Sequence, residues 1–304
     1  MNKRQKEVTQ NALNAEKEVL KKMEGLYQQA LNDIQTRILI LQRNKETQSQ
    51  IYRIEYQRQL QAQLEEILYK LRENMYATIN EYLTDSYITG YVGTMYDFAG
   101  QGFPLTTPID QRAITNAITT NSRINGGLYA SLGVDAERLL ARIQEEISRG
   151  IATGISWDEM ARNLQFAADI PLKRANTIIR TEAHRIQQES TDAARQEAKA
   201  KGADVVKQWD ATLDHRTRKS HRKLDGQIRE VDEYFEVNGK KAMYPGSFGD
   251  PAEDCNCRCV ALTRARVALN EEELQVLKDR AKHFGLDKTK DFEEFKRKYM
   301  KVGN

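Results

Sequence analysis

Apolar residues recur at spacings of three and four positions through residues 9–83 of the chain. This spacing places apolar side chains on one face of a helix, and the Gln, Glu, Lys and Arg residues between them favour both helix and contact with solvent. The segment contains no proline and a single glycine, Gly25. The apolar series stops at the polar stretch RNKETQSQ and then resumes. The pattern therefore predicts two long amphipathic helices that fold back as a hairpin near Asn44.

The helical pattern breaks at TGYVGTMYDFAGQGFPLTTP, residues 89–108, which holds four glycines and two prolines. Glycine and proline at this density predict a flexible or irregular connector. The same stretch carries four aromatic side chains, whose apolar area favours contact with a surface. We therefore expect a connector that packs against the protein rather than a free linker.

Helical signals return in the middle of the chain. Leucine and isoleucine at helical spacing predict a helix over residues 134–150. The stretch SWDEM has the form of a capping box, with Ser156 as the N-cap and a glutamate three positions later. Pro171 fits the first turn of a further helix that runs to about Ala200, and Gly202 is the expected residue beyond its end.

Strand signals begin near residue 204. The stretches DVVKQWDATL and CRCVALTRARV carry β-branched and aromatic residues, and each is predicted to form a strand. Asn238 and Gly239 lie between two short runs and indicate a hairpin with a type I′ turn. The stretch DHRTRKSHRKLDG is expected to be a short helix or turn, and residues 270–304 to be two charged helical pieces.

These elements predict a mainly α protein with a small α+β unit. We expect an N-terminal long-helix region with its connector over residues 1–103, and a helical region over 104–203. A compact α+β unit with a small antiparallel sheet is expected over 204–265, and a charged helical tail over 266–304.

Composition agrees with a protein built on long solvated helices. Of 304 residues, 39% are hydrophobic and 30% are charged, and the mean hydropathy is −0.72. The net charge of +3 argues against a global electrostatic role, so any contact with nucleic acid would be local. No apolar run reaches the length of a membrane span and no signal-like core follows the first residues, so we expect no membrane association and synthesis in a reducing cytoplasm.

All three cysteines of the chain lie within DCNCRC, at Cys255, Cys257 and Cys259. Together with His221 they could supply thiolate and imidazole ligands to zinc. The alternative is that small thiols fill a buried strand face, because C-x-C in a strand directs both side chains to the same side. We favour packing, and we expect no cofactor, no catalytic metal and no catalytic residue. The absence of a C-x-x-C motif makes disulfide exchange less favoured still.

A basic run precedes these cysteines. Its five cationic residues are Arg216, Arg218, Lys219, Arg222 and Lys223. A solvated surface is the default interpretation, and a patch that contacts phosphate is the alternative. Upstream, Arg180 and Glu182 lie in the middle of a predicted helix. They are expected either to form ion pairs on its surface or to turn inward and hydrogen-bond the α+β unit.

Several motifs follow one another in a distinctive order over the second half of the chain. RTE at 180–182 precedes a helix ended by glycine, and a strand containing Trp209 follows. Then come D-x-R-T-R-x-x-H-x-x-L-D-G-Q from Asp214, YPGSFGDPAED, and N-C-R-C from Asn256. This order resembles the phage Mu F-like head morphogenesis domain, and the resemblance covers roughly residues 150–265. The positions that match the family pattern are Asp214, Arg216, Arg218, His221, Gly226, Asn256, Cys257, Arg258 and Cys259.

The resemblance implies a non-enzymatic minor head protein of a tailed phage or prophage, present in few copies at the portal vertex. Its implied partners are the portal protein and other capsid proteins, with phage DNA as a further candidate. Its implied location is the virion head, after assembly in the host cytoplasm. Some family members carry a histidine shortly before N-C-R-C where this chain has Glu253 and Asp254, which weakens a zinc site borrowed from the family.

Two expectations follow for the site. We expect Asp214, Arg216, Arg218, His221, Asn256 and Arg258 to converge as one polar network, with Arg180, Glu182 and Gly226 as its supports. The competing hypotheses are a DNA-binding protein that uses the basic run, and a metal-dependent nuclease or toxin-like effector that uses the His, Cys and Arg residues.

Overall fold

The computed structural model describes residues 1–43, 50–119, 157–267 and 271–302, together with positions 138, 141, 142, 145 and 149. Three long helices dominate it. They are α1 (Lys3–Arg43), α2 (Gln50–Gly100) and α4 (Trp157–Ala200), of 41, 51 and 44 residues. The shorter helices are α3 (Gln111–Thr119), α5 (Lys219–Leu224), α6 (Pro251–Asp254), α7 (Glu271–His283) and α8 (Phe292–Tyr299).

Five short strands complete the described fold. They are β1 (Asp204–Asp210), β2 (Ile228–Glu230), β3 (Phe235–Val237), β4 (Lys240–Ala242) and β5 (Val260–Val267). The first sheet is antiparallel with the order β2-β1-β5, and β3 and β4 form a separate hairpin. Asn238 and Gly239 both have positive φ at its turn, as the sequence predicted. The expected mainly α fold with a small antiparallel sheet is therefore confirmed.

The chain forms two compact units. The first comprises Met1–Glu16, Tyr82–Ile124 and Arg180–Asn304, and the second comprises Lys17–Glu81 and Asn125–Ile179. The helices α1, α2 and α4 each contribute residues to both units.

In the first unit, the start of α1 packs against the end of α2. Asp97 is buried and accepts hydrogen bonds from Asn2 Nδ2 at 2.6 Å and from Gln5 Nε2 at 2.8 Å. The C-terminal half of α4 packs against the sheet, where Gln188 Oε1 accepts from the backbone N–H of Ala261 at 2.9 Å. These contacts join segments that are far apart in sequence, so helices and α+β elements together make up the first unit.

In the second unit, the apolar face predicted for the first two helices is buried. The fully or nearly fully buried side chains there include Met23, Ile34, Leu64, Leu71, Met75 and Ile79. Lys22 Nζ lies 3.4 Å from Glu81 Oε2 at its exposed edge. The predicted turn near Asn44 lies outside the described residues.

The connector predicted for residues 89–108 is wrong over its first part, because α2 continues without a break to Gly100. The glycines allow close helix packing instead of breaking the helix. A Cβ placed on Gly93 would lie 2.5 Å from Val8 Cγ1, and one on Gly90 would lie 2.1 Å from Ser190 Oγ. Irregular backbone begins only at Gln101. The expectation that the aromatic residues pack against the protein is confirmed, since Tyr91, Tyr96, Phe98 and Phe103 are buried.

Two further predictions need correction. Pro171 does not open a helix as predicted, but lies inside α4, which begins at Trp157. A proline inside a helix removes one hydrogen bond and its ring clashes with the carbonyl four residues earlier, at a cost of about 3 kcal/mol. The remaining hydrogen bonds of a helix as long as α4 offset this cost. The predicted strand over the cysteines begins later, at Val260, so Cys257 and Cys259 lie on the segment before it. The predicted N-cap Ser156 and most of the helix predicted over 134–150 lie outside the described residues.

The core around β1 is aromatic. Trp209 is fully buried and packs edge-on against Phe235, with ring centroids 5.1 Å apart. Leu224, Cys257 and Cys259 belong to the same buried cluster. Among the described residues, no helix combines the length and the hydrophobicity that crossing a membrane requires.

Candidate functional site

Asp214 and Arg258 form an ionic clamp between the loop after β1 and the segment before β5. Arg258 donates through both guanidinium nitrogens to the two carboxylate oxygens of Asp214, each at 2.7 Å. The backbone N–H of Arg216 donates to the same carboxylate at 2.9 Å. The Arg258 bond holds the pKa of Asp214 well below its usual range and raises the pKa of Arg258. The clamp therefore stays ionised at physiological pH and joins two segments 44 residues apart.

The N-C-R-C segment is held on two other sides as well. Arg218 Nη2 donates to the carbonyl of Cys255 at 2.5 Å. Asn256 has a φ of 51°, in the left-handed region, and its backbone N–H donates to Thr181 Oγ1 of α4 at 3.0 Å. Asn and Gly adopt this conformation most readily, which gives a backbone reason for an asparagine here. Asn256 therefore acts through its main chain, while its side chain is exposed.

His221 lies on a different side of the segment, in the core. Its Nδ1 is 3.3 Å from Cys259 Sγ and 3.7 Å from Cys257 Sγ. All three side chains are buried, with exposed fractions of 1%, 2% and 5% for His221, Cys259 and Cys257. These three ligand atoms lie within 4.8 Å of one another, and Cys255 is not among them. We call His221, Cys257 and Cys259 the His–thiol cluster.

The two thiols of the cluster are electrostatically unequal. The hydrogen bond from Cys257 lowers the pKa of Cys259, against the effect of burial and with a further contribution from His221. The same bond and burial raise the pKa of Cys257. Cys259 is therefore the sulfur on which negative charge is favoured.

Glu253 closes the other side of His221. Its Oε2 lies 3.3 Å from His221 Nε2 and accepts from Ser220 Oγ at 2.8 Å, and its Oε1 accepts from Lys240 Nζ at 3.1 Å. Burial raises the pKa of Glu253, but the bonds from Ser220 and Lys240 outweigh it, so the pKa lies below its usual value. A carboxylate thus faces the ring nitrogen that points away from the thiols.

The structure divides the expected single network into two parts. Asp214, Arg258 and the backbone of Arg216 form the clamp, while His221 faces the thiols in the core. Gly226 has a φ of +79° and its N–H donates to the carbonyl of Trp209 at 2.8 Å, so it is a turn residue beside the site.

The two α4 residues predicted as supports have different surroundings. Arg180 lies at the surface and its Nε contacts Glu16 Oε1 at 2.9 Å, apart from the clamp. Glu182 is buried and its Oε2 accepts from Arg185 Nε at 2.9 Å. Between them, Thr181 makes the contact to the N-C-R-C segment.

The basic run is mostly on the surface. Arg216, Lys219, Arg222 and Lys223 are exposed, whereas Arg218 is half-buried against Cys255. Arg222 Nη2 donates to the carbonyl of Asp214 at 2.7 Å, which leaves the rest of its guanidinium toward solvent. The loop before α5 and the helix itself therefore present several cations together.

Residues 141–262 match the family model of Phage Mu protein F like protein. This region, which is less than half of the chain, is similar to the phage Mu F-like family. The Mu F-like region contains every candidate site residue named above, from Arg180 to Cys259. The clamp and the His–thiol cluster are thus both features of the Mu F-like region.

Two relatives extend the match beyond the Mu F-like region. The chain is 31% identical over 269 residues to the NAD(+)–arginine ADP-ribosyltransferase EFV of Enterococcus faecalis, covering 86% of this chain and 54% of that protein. It is also 31% identical over 191 residues to the Minor head protein GP7 of Bacillus phage SPP1, covering 60% of each. The chain therefore spans little more than half the length of these relatives. No solved structure shows a significant match.

Sequence reasoning missed several residues of the site. Thr181 lies inside the recognised RTE motif, but only the fold shows that it, rather than its neighbours, meets Asn256. Glu253 stands out in the sequence only as a departure from the family pattern, and its position beside His221 depends on the turn at α6. A signal was available for α6, since Asp250 precedes Pro251 and caps the helix by accepting from Ala252 N–H at 2.9 Å.

Proposed function

We propose that this chain is a phage minor head protein that acts in head morphogenesis. The observation that supports it most is the identity to a relative named as a minor head protein, over 60% of this chain. The Mu F-like region matches a phage family independently. The proposed location is the virion head, with assembly in the cytoplasm of the host.

The finer proposal is that the protein is a non-enzymatic component of the portal vertex, needed for DNA packaging or DNA ejection. Its proposed partners are the portal protein and other capsid proteins. The long helices of the second unit support a docking role, because they present extended surfaces and an exposed aromatic side chain. Among the described residues of this unit, Tyr69 on α2 is the large apolar side chain that is exposed, with 56% of its surface accessible. Exposed aromatic residues are common anchors of protein interfaces.

Incorporation into heads tests this proposal. The gene is deleted from the phage or prophage, and variants are supplied in trans. We expect Tyr69→Glu to lower the protein's copy number in purified heads about tenfold, a loss of about 1.4 kcal/mol at one interface anchor. Val276→Glu on α7 is the control, since Val276 is 66% exposed and lies in the other unit. Quantitative mass spectrometry of the heads gives the readout.

The outcomes separate the coarse and the fine proposals. Wild-type protein missing from heads would contradict the head role itself. Wild-type protein present in heads, with equal incorporation of Tyr69→Glu and Val276→Glu, would remove the helices of the second unit as the docking surface and leave the head role standing.

The name of the Enterococcus relative suggests an enzyme, but just under half of that protein lies outside the match. We infer that the shared region serves assembly rather than transfer of ADP-ribose. Transfer of ADP-ribose from NAD⁺ to arginine by this purified chain would contradict that inference.

DNA contact is a second candidate function, favoured by the four exposed cations around α5. If they contact phosphate, replacing Lys219, Arg222 and Lys223 by alanine should weaken binding to any DNA duplex, whatever its sequence. The slope of the logarithm of the binding constant against the logarithm of the salt concentration should also become less steep by about three.

Replacing Lys278, Arg280 and Lys282 on α7, which are also exposed, is the control for loss of the same number of charges. Binding assays over a salt series provide the measurement, and equal slopes for both sets would rule out this surface as the contact.

A further inference from the structure

We propose that the His–thiol cluster is a zinc site that ties α5 to the segment before β5. Its protein ligands are His221 Nδ1, Cys257 Sγ and Cys259 Sγ. The inference concerns the fold of the Mu F-like region and does not depend on the proposed head role.

The distances between the ligand atoms fit a tetrahedral ion. Zinc bonds of about 2.3 Å to sulfur and about 2.05 Å to imidazole nitrogen, meeting at a tetrahedral angle, separate the two atoms by about 3.6 Å. The Nδ1–Sγ distances in the structure, 3.3 Å and 3.7 Å, lie on either side of this value. These two separations therefore fit a shared ion, and all three ligand atoms lie within 4.8 Å of one another.

The surroundings of His221 also fit a metal ligand. Glu253 Oε2 lies 3.3 Å from Nε2, on the side of the ring away from the sulfurs. Nε2 is buried and makes no hydrogen bond in the structure, so Glu253 is an acceptor within reach of a proton on Nε2. With the ring proton there, the lone pair of Nδ1 is on the side of the two thiols. A carboxylate behind the distal ring nitrogen is the usual way in which proteins orient a metal-binding histidine.

The chemistry of the donors selects the ion. Two thiolates and a neutral imidazole suit zinc better than the hard cations magnesium and calcium, which prefer oxygen ligands. Two buried thiolates would be unfavourable alone, whereas a zinc ion neutralises both charges. Among the described residues no fourth His, Cys or carboxylate joins the group, so water would take the fourth position.

The sequence favoured packing because it placed both cysteines inside a strand. In the structure β5 begins at Val260, and the preceding segment directs both sulfurs toward the same histidine. Packing and ligation are compatible here, since the cluster also borders the core around Trp209. The ion would link positions 36 and 38 residues apart, which would restrict the unfolded chain and stabilise the fold.

Metal analysis of the full chain tests the proposal. After purification under reducing conditions and exchange into metal-free buffer, we expect about one zinc per chain by inductively coupled plasma mass spectrometry. Cys255→Ser is the matched control and should keep the zinc, because Cys255 lies outside the cluster. Cys257→Ser and Cys259→Ser should lower the zinc content about tenfold or more.

Cobalt gives a readout that does not depend on the variants folding. The wild-type chain, stripped with a chelator and titrated with Co²⁺ alone, should develop a sulfur-to-cobalt charge-transfer band in the near ultraviolet, and Cys255→Ser should develop the same band. A wild-type chain with less than about a tenth of an equivalent of zinc and no cobalt band would overturn the proposal. Equal loss of zinc in Cys255→Ser and Cys257→Ser would overturn it as well.

Discussion

Replacing Asp192 by alanine is expected to destabilise the first unit by about 3 kcal/mol. Asp192 Oδ1 accepts from Arg195 Nη2 at 3.0 Å and lies 3.9 Å from Lys207 Nζ. The side chains of Arg195 and Lys207 are both fully buried. Without the carboxylate, Arg195 would lose its ion-pair partner, and Lys207 would keep only the more distant, exposed carboxylates of Asp232 and Glu233. Removing one partner of a buried ion pair is strongly destabilising. Urea unfolding followed by circular dichroism measures the loss.

Glu236→Ala is the matched control. Glu236 also pairs with a lysine, at 3.7 Å from Lys241 Nζ, but 53% of its side chain is exposed. Exposed pairs contribute little, so we expect a change of about 0.5 kcal/mol or less. Equal effects of the two substitutions would show that Asp192 does not neutralise buried charge.

The pH dependence of the Asp192→Ala variant identifies the lysine's share of the loss. Burial lowers the pKa of Lys207 to about 8, and the charge of Asp192 opposes that shift. A lysine whose folded pKa lies below its unfolded value binds fewer protons when folded. Its burial therefore lowers the free energy of unfolding at lower pH, and this destabilisation disappears as the pH rises. Above about pH 8, Lys207 is mainly neutral with or without Asp192. The difference between variant and wild type should therefore be smaller at pH 9 than at pH 7.

Local sequence patterns predicted the elements whose signals lie within a few residues. The Asn238–Gly239 turn needs positive φ at both positions, and few residues other than asparagine and glycine allow it. The end of α4 was likewise predicted by Gly202, which has a φ of +87°. The apolar face of α1 followed from its spacing alone. In each case the physical constraint and its sequence signal occupy the same short segment.

The site could be predicted as a set of residues but not as pairs. The sequence offered Arg216, Arg218 and Arg258 as candidate partners for Asp214. The partner in the structure is Arg258, which is 44 residues away. The choice depends on the turn after β1 and on the register of β5 against β1, neither of which is encoded near Asp214. His221 separated from this group because α5 buries it against Trp209, with ring centroids 5.6 Å apart. Tertiary packing thus decides which polar residues meet.

A glycine in a helix either weakens the helix or permits close packing against another helix, and the local sequence does not distinguish the two effects. Gly90 and Gly93 indicated a break in the helix, whereas Gly25 did not disturb the prediction for α1. In the structure Gly90 is required for packing and Gly25 is not. A Cβ added at Gly25 would have no atom within 4 Å, while one added at Gly90 would collide with another helix. Only the partner helix distinguishes a glycine that weakens a helix from one that permits close packing.

Replacing Gly90 by alanine is therefore expected to destabilise the protein by about 3 kcal/mol. The added Cβ would lie 2.1 Å from Ser190 Oγ and 2.3 Å from the carbonyl oxygen of Gln187 on α4. Side-chain rotation can move the hydroxyl, but the carbonyl belongs to the helix backbone, so α2 and α4 would have to separate. The better helix propensity of alanine returns only about 1 kcal/mol.

Two further variants make this prediction specific. Gly25→Ala adds the same methyl group to a helix with open space around it, so we expect a gain of about 0.5 to 1 kcal/mol. Ser190→Ala in the Gly90→Ala background removes the closer clash and leaves the carbonyl clash, so the rescue should be partial. Thermal and urea unfolding of the set provide the measurement. A neutral Gly90→Ala, or complete rescue by Ser190→Ala, would mean that the two helix backbones are not in close contact at Gly90.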